Sequence, residues 1–145
     1  MKPVEVRDPM DPVQADDPAA RQLLHTCGLF TRCDADALHP LAGKTRWLEH
    51  ADGADLVREG DFPQNMLIME RGQALVLKRG ANGHEHLINR LGPGESIGEM
   101  GLLDPRPRPP TVRAEGPVRS LELPLTDFAQ LAESHPTLVP VLIDI

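Results

Sequence analysis

From Thr45 onward the apolar positions come in short runs cut by glycine, proline or Asn-Gly. The segments TRWLEH, ADLVREG, MLIMERG, QALVLKRG, HEHLINRLG, PTVRAEG and VRSLELP follow one another at roughly even spacing. Short β-branched and leucine-rich runs with such punctuation predict an antiparallel sandwich or jelly roll. Met66-Leu67-Ile68-Met69 reads as a buried strand that turns tightly at Arg71-Gly72-Gln73. Ala81-Asn82-Gly83 predicts a hairpin, because Asn-Gly accepts positive φ at little cost. Gly92-Pro93-Gly94 predicts another turn.

The pattern changes at both ends. Residues 1–20 are rich in proline and aspartate and read as a mobile arm, leaving 21–145 as the folded domain. Asp17 followed by Pro18 marks a helix start, and Gly28 its end. A second short helix is predicted over Ala35 to Leu41, entered from Asp34 and interrupted by Pro40. After Pro124 the spacing of Leu125, Phe128 and Leu131 is helical, with Thr126 or Asp127 as cap. His135-Pro136 closes that helix, and TLVPVLIDI begins another. The fold class is therefore mainly β with flanking helices.

Composition narrows the function. One domain of 145 residues can hold a single core. A net charge of −7 and a pI near 5.3 argue against a nucleic-acid surface. With three Phe, one Trp and no Tyr, there is little aromatic surface to stack on single-stranded nucleic acid. No stretch reaches the roughly 18 apolar residues that cross a bilayer. The N-terminus has no apolar signal region, so a cytoplasmic protein is expected. Cys27 and Cys33 are too few for a disulfide framework or for the four thiolates of an iron–sulfur cluster.

The chemistry concentrates in IGEMGLLDPRPRPPTV. Glu99 and Arg108 stand nine residues apart, with a glycine-flanked, helix-forming turn between them. A small anionic sugar ligand needs both groups. The carboxylate accepts hydrogen bonds from ribose hydroxyls, and the guanidinium fork clamps a phosphate. A Met-Gly-Leu-Leu turn would aim free backbone N–H groups at the same phosphate.

This stretch resembles the phosphate-binding cassette of the cyclic nucleotide-binding domain family. That cassette runs roughly Phe-Gly-Glu-Leu-Ala-Leu, a short variable segment, then Pro-Arg-Ala-Ala-Thr-Val. The resemblance extends upstream through Gly53, Gly60-Asp61, Gly72, Gly83 and Gly94, and covers about Arg21 to the C-terminus. It implies a jelly roll, or double-stranded β-helix, with a ligand site at Gly98, Glu99, Met100, Gly101 and Arg108. Glu99 would bind the ribose 2′-hydroxyl and Arg108 an exocyclic phosphate oxygen. The N–H groups of Met100 and Gly101 would complete the cradle, and Gly101 lets the phosphate approach closely. One departure is notable. The small residues after the arginine are here Pro109 and Pro110, which supply no N–H.

Other constellations have plainer readings. His84 and His86 share a strand face and invite a metal, as in the cupins, but Asn89 and Arg90 stand where those enzymes need a glutamate. Cys27 and Cys33 read as buried thiols rather than a redox pair. Pro105 to Pro110 read as a rigid surface turn, and Arg58-Glu59 as a solvated strand edge. No nucleophile–base pair is evident, so the chain is expected to be no enzyme and to need no cofactor or metal. The expected role is a regulatory module that binds a cyclic nucleotide, cAMP first, and signals by moving its C-terminal helices. The alternative is a degenerate, ligand-free jelly roll used for dimerisation or docking. Partners are the small molecule and either a second copy or an output domain, with no nucleic acid and no membrane.

Overall fold

The computed structural model describes residues 17–27, 30, 33, 35–59, 65–97 and 110–135. Its elements, in order, are α1 (Pro18–Thr26), α2 (Ala35–Ala42), β1 (Arg46–His50), β2 (Asp55–Val57), β3 (Asn65–Arg79), β4 (Glu85–Leu91), β5 (Ser96–Ile97), β6 (Thr111–Pro124) and α3 (Leu125–Ser134). The N-terminal arm through residue 16, Gly28, Asp34, Gly60-Asp61 and the segment from Pro136 on lie outside the described residues.

Two long strands organise the sheet. The C-terminal half of β6 pairs antiparallel with β1 and with the N-terminal half of β3, which also carries β5. The N-terminal half of β6 pairs with β2 and with the C-terminal half of β3, which carries β4. The result is two layers, β1-β6-β3-β5 and β2-β6-β3-β4, sharing the same two central strands: a jelly roll.

The sequence reading divided each of these strands in two, at Gly72 and at Gly116. Both glycines do take positive φ, +98° and +80°. They bend the strand instead of reversing it. The β3–β6 register shifts between Met69 and Arg71 and again between Arg71 and Gln73, as extra residues are absorbed in bulges. The hairpin after β3 also differs in detail. Only Gly83 has positive φ, and the loop closes through Gly80 N–H to His84 O at 2.9 Å and Gly83 N–H to Gly80 O at 3.0 Å. Gly94 forms the other turn with φ +88°, its N–H donating to Met69 O at 2.7 Å.

Period-two alternation assigns the core. Trp47, Met66, Ile68, Leu121 and Leu123 face the helices and pack with Leu23, Leu24, Phe30, Leu41 and Phe128. Their sequence neighbours Leu48, Leu67 and Met69 point the other way. With Ala74, Val76, Ile97, Val112, Ala114 and Val118 they fill the space between the layers. The first layer is thus covered on both faces.

The helices follow their signals with two corrections. Asp17 caps α1, its Oδ1 accepting from Ala19 N at 2.9 Å and Ala20 N at 3.2 Å. Pro40 lies inside α2 without interrupting it. α3 starts directly from Pro124 with no side-chain cap, so neither Thr126 nor Asp127 plays that part. Turning straight out of β6 leaves no room for a capping residue. His135 ends α3 as expected, its N–H donating to Leu131 O at 2.9 Å.

Candidate functional site

The cassette residues Gly98, Glu99, Met100, Gly101 and Arg108, with Pro109, lie outside the described residues. The structure gives the two anchors of that segment. Ile97, in β5, pairs with Leu67 of the first layer. Thr111, opening β6, pairs with Leu77 of the second. The segment between them joins one layer to the other in sequence, and Leu56, Val57 and Leu91 are only partly buried where they pack against the inter-layer core. On β4, Leu87 and Ile88 are 49% and 57% exposed.

Next to the cassette's exit lies an open, strongly polar cavity of about 350 Å³. Asp55, Arg58, Glu59, Arg79, Glu85, Thr111 and Arg113 line it. Arg113 is its centre. Its Nε donates to Asp55 Oδ1 at 2.7 Å, while Nη1 and Nη2 donate to Glu85 Oε1 and Oε2 at 2.8 and 3.2 Å. This bidentate fork holds the Glu85 carboxyl below the usual carboxylate range. The hydrogen bonds to Glu85 and Asp55 in turn push the guanidinium further above its ordinary value.

Arg58 and Glu59 are more than a solvated edge. The Glu59 N–H donates to Thr111 Oγ1 at 2.9 Å, and its Oε1 accepts the Arg79 N–H at 3.0 Å. Sequence reasoning gave Arg113, Glu85 and Thr111 no part in this cluster. The ion-pair partners are 58 and 28 residues apart along the chain, and no local motif relates them.

His84 and His86 are both exposed. Asn82 Oδ1 accepts the His84 N–H at 3.0 Å and lies 3.4 Å from His86 Nε2. Among the described residues no three His, Cys, Asp or Glu side chains gather as a metal site. Cys27 and Cys33 are buried and not joined in a disulfide. No helix among the described residues is long and apolar enough to cross a membrane.

A jelly roll with helices on one layer, and a Glu…Arg cassette joining its two layers, defines a class. The family model of the cyclic nucleotide-binding domain matches residues 47–135, and the chain belongs to that family. It is 37% identical over 93 residues to a cAMP-dependent protein kinase regulatory subunit of Blastocladiella emersonii. That match takes in 64% of this chain and 23% of the relative, so the chain spans about a quarter of its length. Two solved structures share the fold. The regulatory domain of Toxoplasma gondii PKA with cAMP has a TM-score of 0.74 at 24% identity, over 84% of this chain and 46% of that one. The regulatory subunit of a cAMP-independent protein kinase A from Trypanosoma brucei has a TM-score of 0.78 at 21% identity, over 90% and 46%.

Proposed function

We propose that residues 21–145 form a regulatory, non-catalytic module that binds a cyclic nucleotide, cAMP first, and passes the signal through its C-terminal helices. The observation that carries this reading is the pairing of Glu99 with Arg108 at family spacing, inside the stretch that matches the family. Glu99 takes the ribose 2′-hydroxyl and Arg108 the phosphate, with N–H groups of Met100 and Gly101 beside it and Gly98 allowing the turn. No metal or other cofactor takes part. The module acts in the cytoplasm on a linked output domain or within a homodimer, without touching nucleic acid or membrane.

Calorimetric titration with cAMP, cGMP and cyclic dinucleotides tests this directly. Saturable binding of cAMP, abolished in a folded Arg108→Ala variant, is the expected result. Undiminished affinity in that variant would move the ligand elsewhere. Glu99→Gln is expected to narrow the preference for cAMP over its 2′-deoxy analogue, because an amide accepts weaker hydrogen bonds than a carboxylate.

A second reading, a ligand-free docking module, is favoured by Pro109 and Pro110. They withhold an N–H that the family usually offers the phosphate. A hydrogen bond to a charged group is worth about 1.5–3 kcal/mol, or roughly ten- to a hundredfold in affinity. Replacing both prolines by alanine is therefore expected to tighten cAMP binding by up to that factor. Absence of binding in both proteins would favour the docking module.

A further inference from the structure

The charges beside the cassette's exit tie together strands that backbone pairing leaves apart. In the second layer the order is β2-β6-β3-β4, so β2 and β4 are its two edges. Arg113 lies on β6. Its fork bonds Asp55 on the neighbouring edge strand and then reaches past β3 to Glu85, the first residue of β4. Arg113 stands opposite Leu75 of β3 while Glu85 stands opposite Arg79, so the two side chains meet diagonally across that strand. A single guanidinium thereby links both edges of the layer.

The tie is made at a particular height. Thr111, two residues before Arg113, is buried and held by the Glu59 N–H. Glu59 is itself fastened to the last residue of β3 through the Arg79 N–H. These bonds fix where the chain re-enters the sheet, three residues after Arg108. A guanidinium that clamps a phosphate works within narrow limits, and a displacement of about 1 Å is enough to cost binding or rate heavily.

We propose that Arg113, acting through Glu85 and Asp55, is a positioning residue for the phosphate half of the ligand site. It holds the exit of the cassette where Arg108 meets the phosphate, and touches no ligand itself. This inference rests on the cyclic-nucleotide reading. It assigns the effect to one side of the ligand, which a loss of general stability does not do.

The test uses Arg113→Gln, Arg113→Lys and Glu85→Gln. Asp55 keeps Arg58 at 3.5 Å when Arg113 is neutralised, so the variants are not left with a bare carboxylate there. Unfolding midpoints establish that each variant is folded. Calorimetry then gives affinities for cAMP, for its Sp and Rp phosphorothioate diastereomers, and for 2′-deoxy-cAMP. Arg113→Gln and Glu85→Gln are expected to weaken cAMP by about three- to tenfold and to narrow the gap between the diastereomers. The penalty for removing the 2′-hydroxyl is expected to stay as in the wild type. Arg113→Lys recovers only part, since an ammonium cannot serve both carboxylates as a fork does. Wild-type affinity in the variants, or equal loss of phosphate and ribose discrimination, would overturn the inference alone. A wild-type protein that binds no cyclic nucleotide would remove the underlying reading, and the inference with it.

Discussion

At Gly72 the bend of β3 meets the bend of β6. Its φ of +98° is one that L side chains rarely adopt, and an added Cβ would run into the carbonyl oxygen of Pro117 and crowd Val118. Both objections are to backbone, which cannot swing aside. Gly72→Ala is expected to lower stability by about 1–3 kcal/mol, read from urea unfolding. Gly116→Ala has open space around it and meets only the φ objection, so its loss is expected to be the smaller. A second single-residue case is Arg119, whose guanidinium carbon lies 4.2 Å from the ring centroid of Trp47. Glu70 Oε1 stands 4.0 Å from Arg119 Nε, too far for a hydrogen bond, while the guanidinium lies over the indole face at cation–π distance. Arg119→Ala is expected to cost about 1 kcal/mol and to change the emission of Trp47, the chain's one tryptophan.

Among the elements, β4 is the one held most by charge. Every residue from Glu85 to Arg90 is exposed, and beyond its pairing with β3 its first residue is fastened by Arg113. The Glu85 carboxyl titrates below its ordinary 4.5, so it adds stability above that value and loses it as pH falls through its folded-state value. The gap in urea midpoint between wild type and Glu85→Gln is therefore expected to be widest near neutral pH and to close in acid. α3 depends on packing instead. Phe128 is fully buried, with its ring centroid 5.9 Å from that of Phe30. Phe128→Ala is expected to cost about 3–5 kcal/mol.

Element type was legible where alternation was strong. Trp47-Leu48 and Met66 to Met69 announce their two buried faces directly. Continuity was not legible, because a glycine that reverses a chain and one that bends it look alike in sequence. Ser96-Ile97 is too short to carry a period, and only its pairing with Leu67 and Ile68 makes it a strand. The absent cap on α3 was hidden for a related reason: Pro124 serves the strand and the helix at once. As for the site, a linear motif identified the family register of Glu99 and Arg108. The Asp55–Arg113–Glu85 tie exists only once β2, β6, β3 and β4 are assembled side by side.

For the whole molecule, binding and folding are linked. A ligand held only by the native state stabilises it by about 2.7 kcal/mol at a hundred times its dissociation constant. Saturating cAMP is expected to raise the wild-type melting temperature, and to leave Arg108→Ala at its ligand-free value.

The junction at Pro124 also limits how α3 can move. Pro124 is paired with Asn65 as the last residue of β6, and the next residue is already helical. There is no linker to swing. The proline ring holds φ at −63°, leaving ψ of Pro124, now at 133°, as the free torsion at the joint. While the Asn65–Pro124 pair stays closed, any reorientation of α3 against β6 must turn on the backbone torsions at this one joint, with no linker to share it.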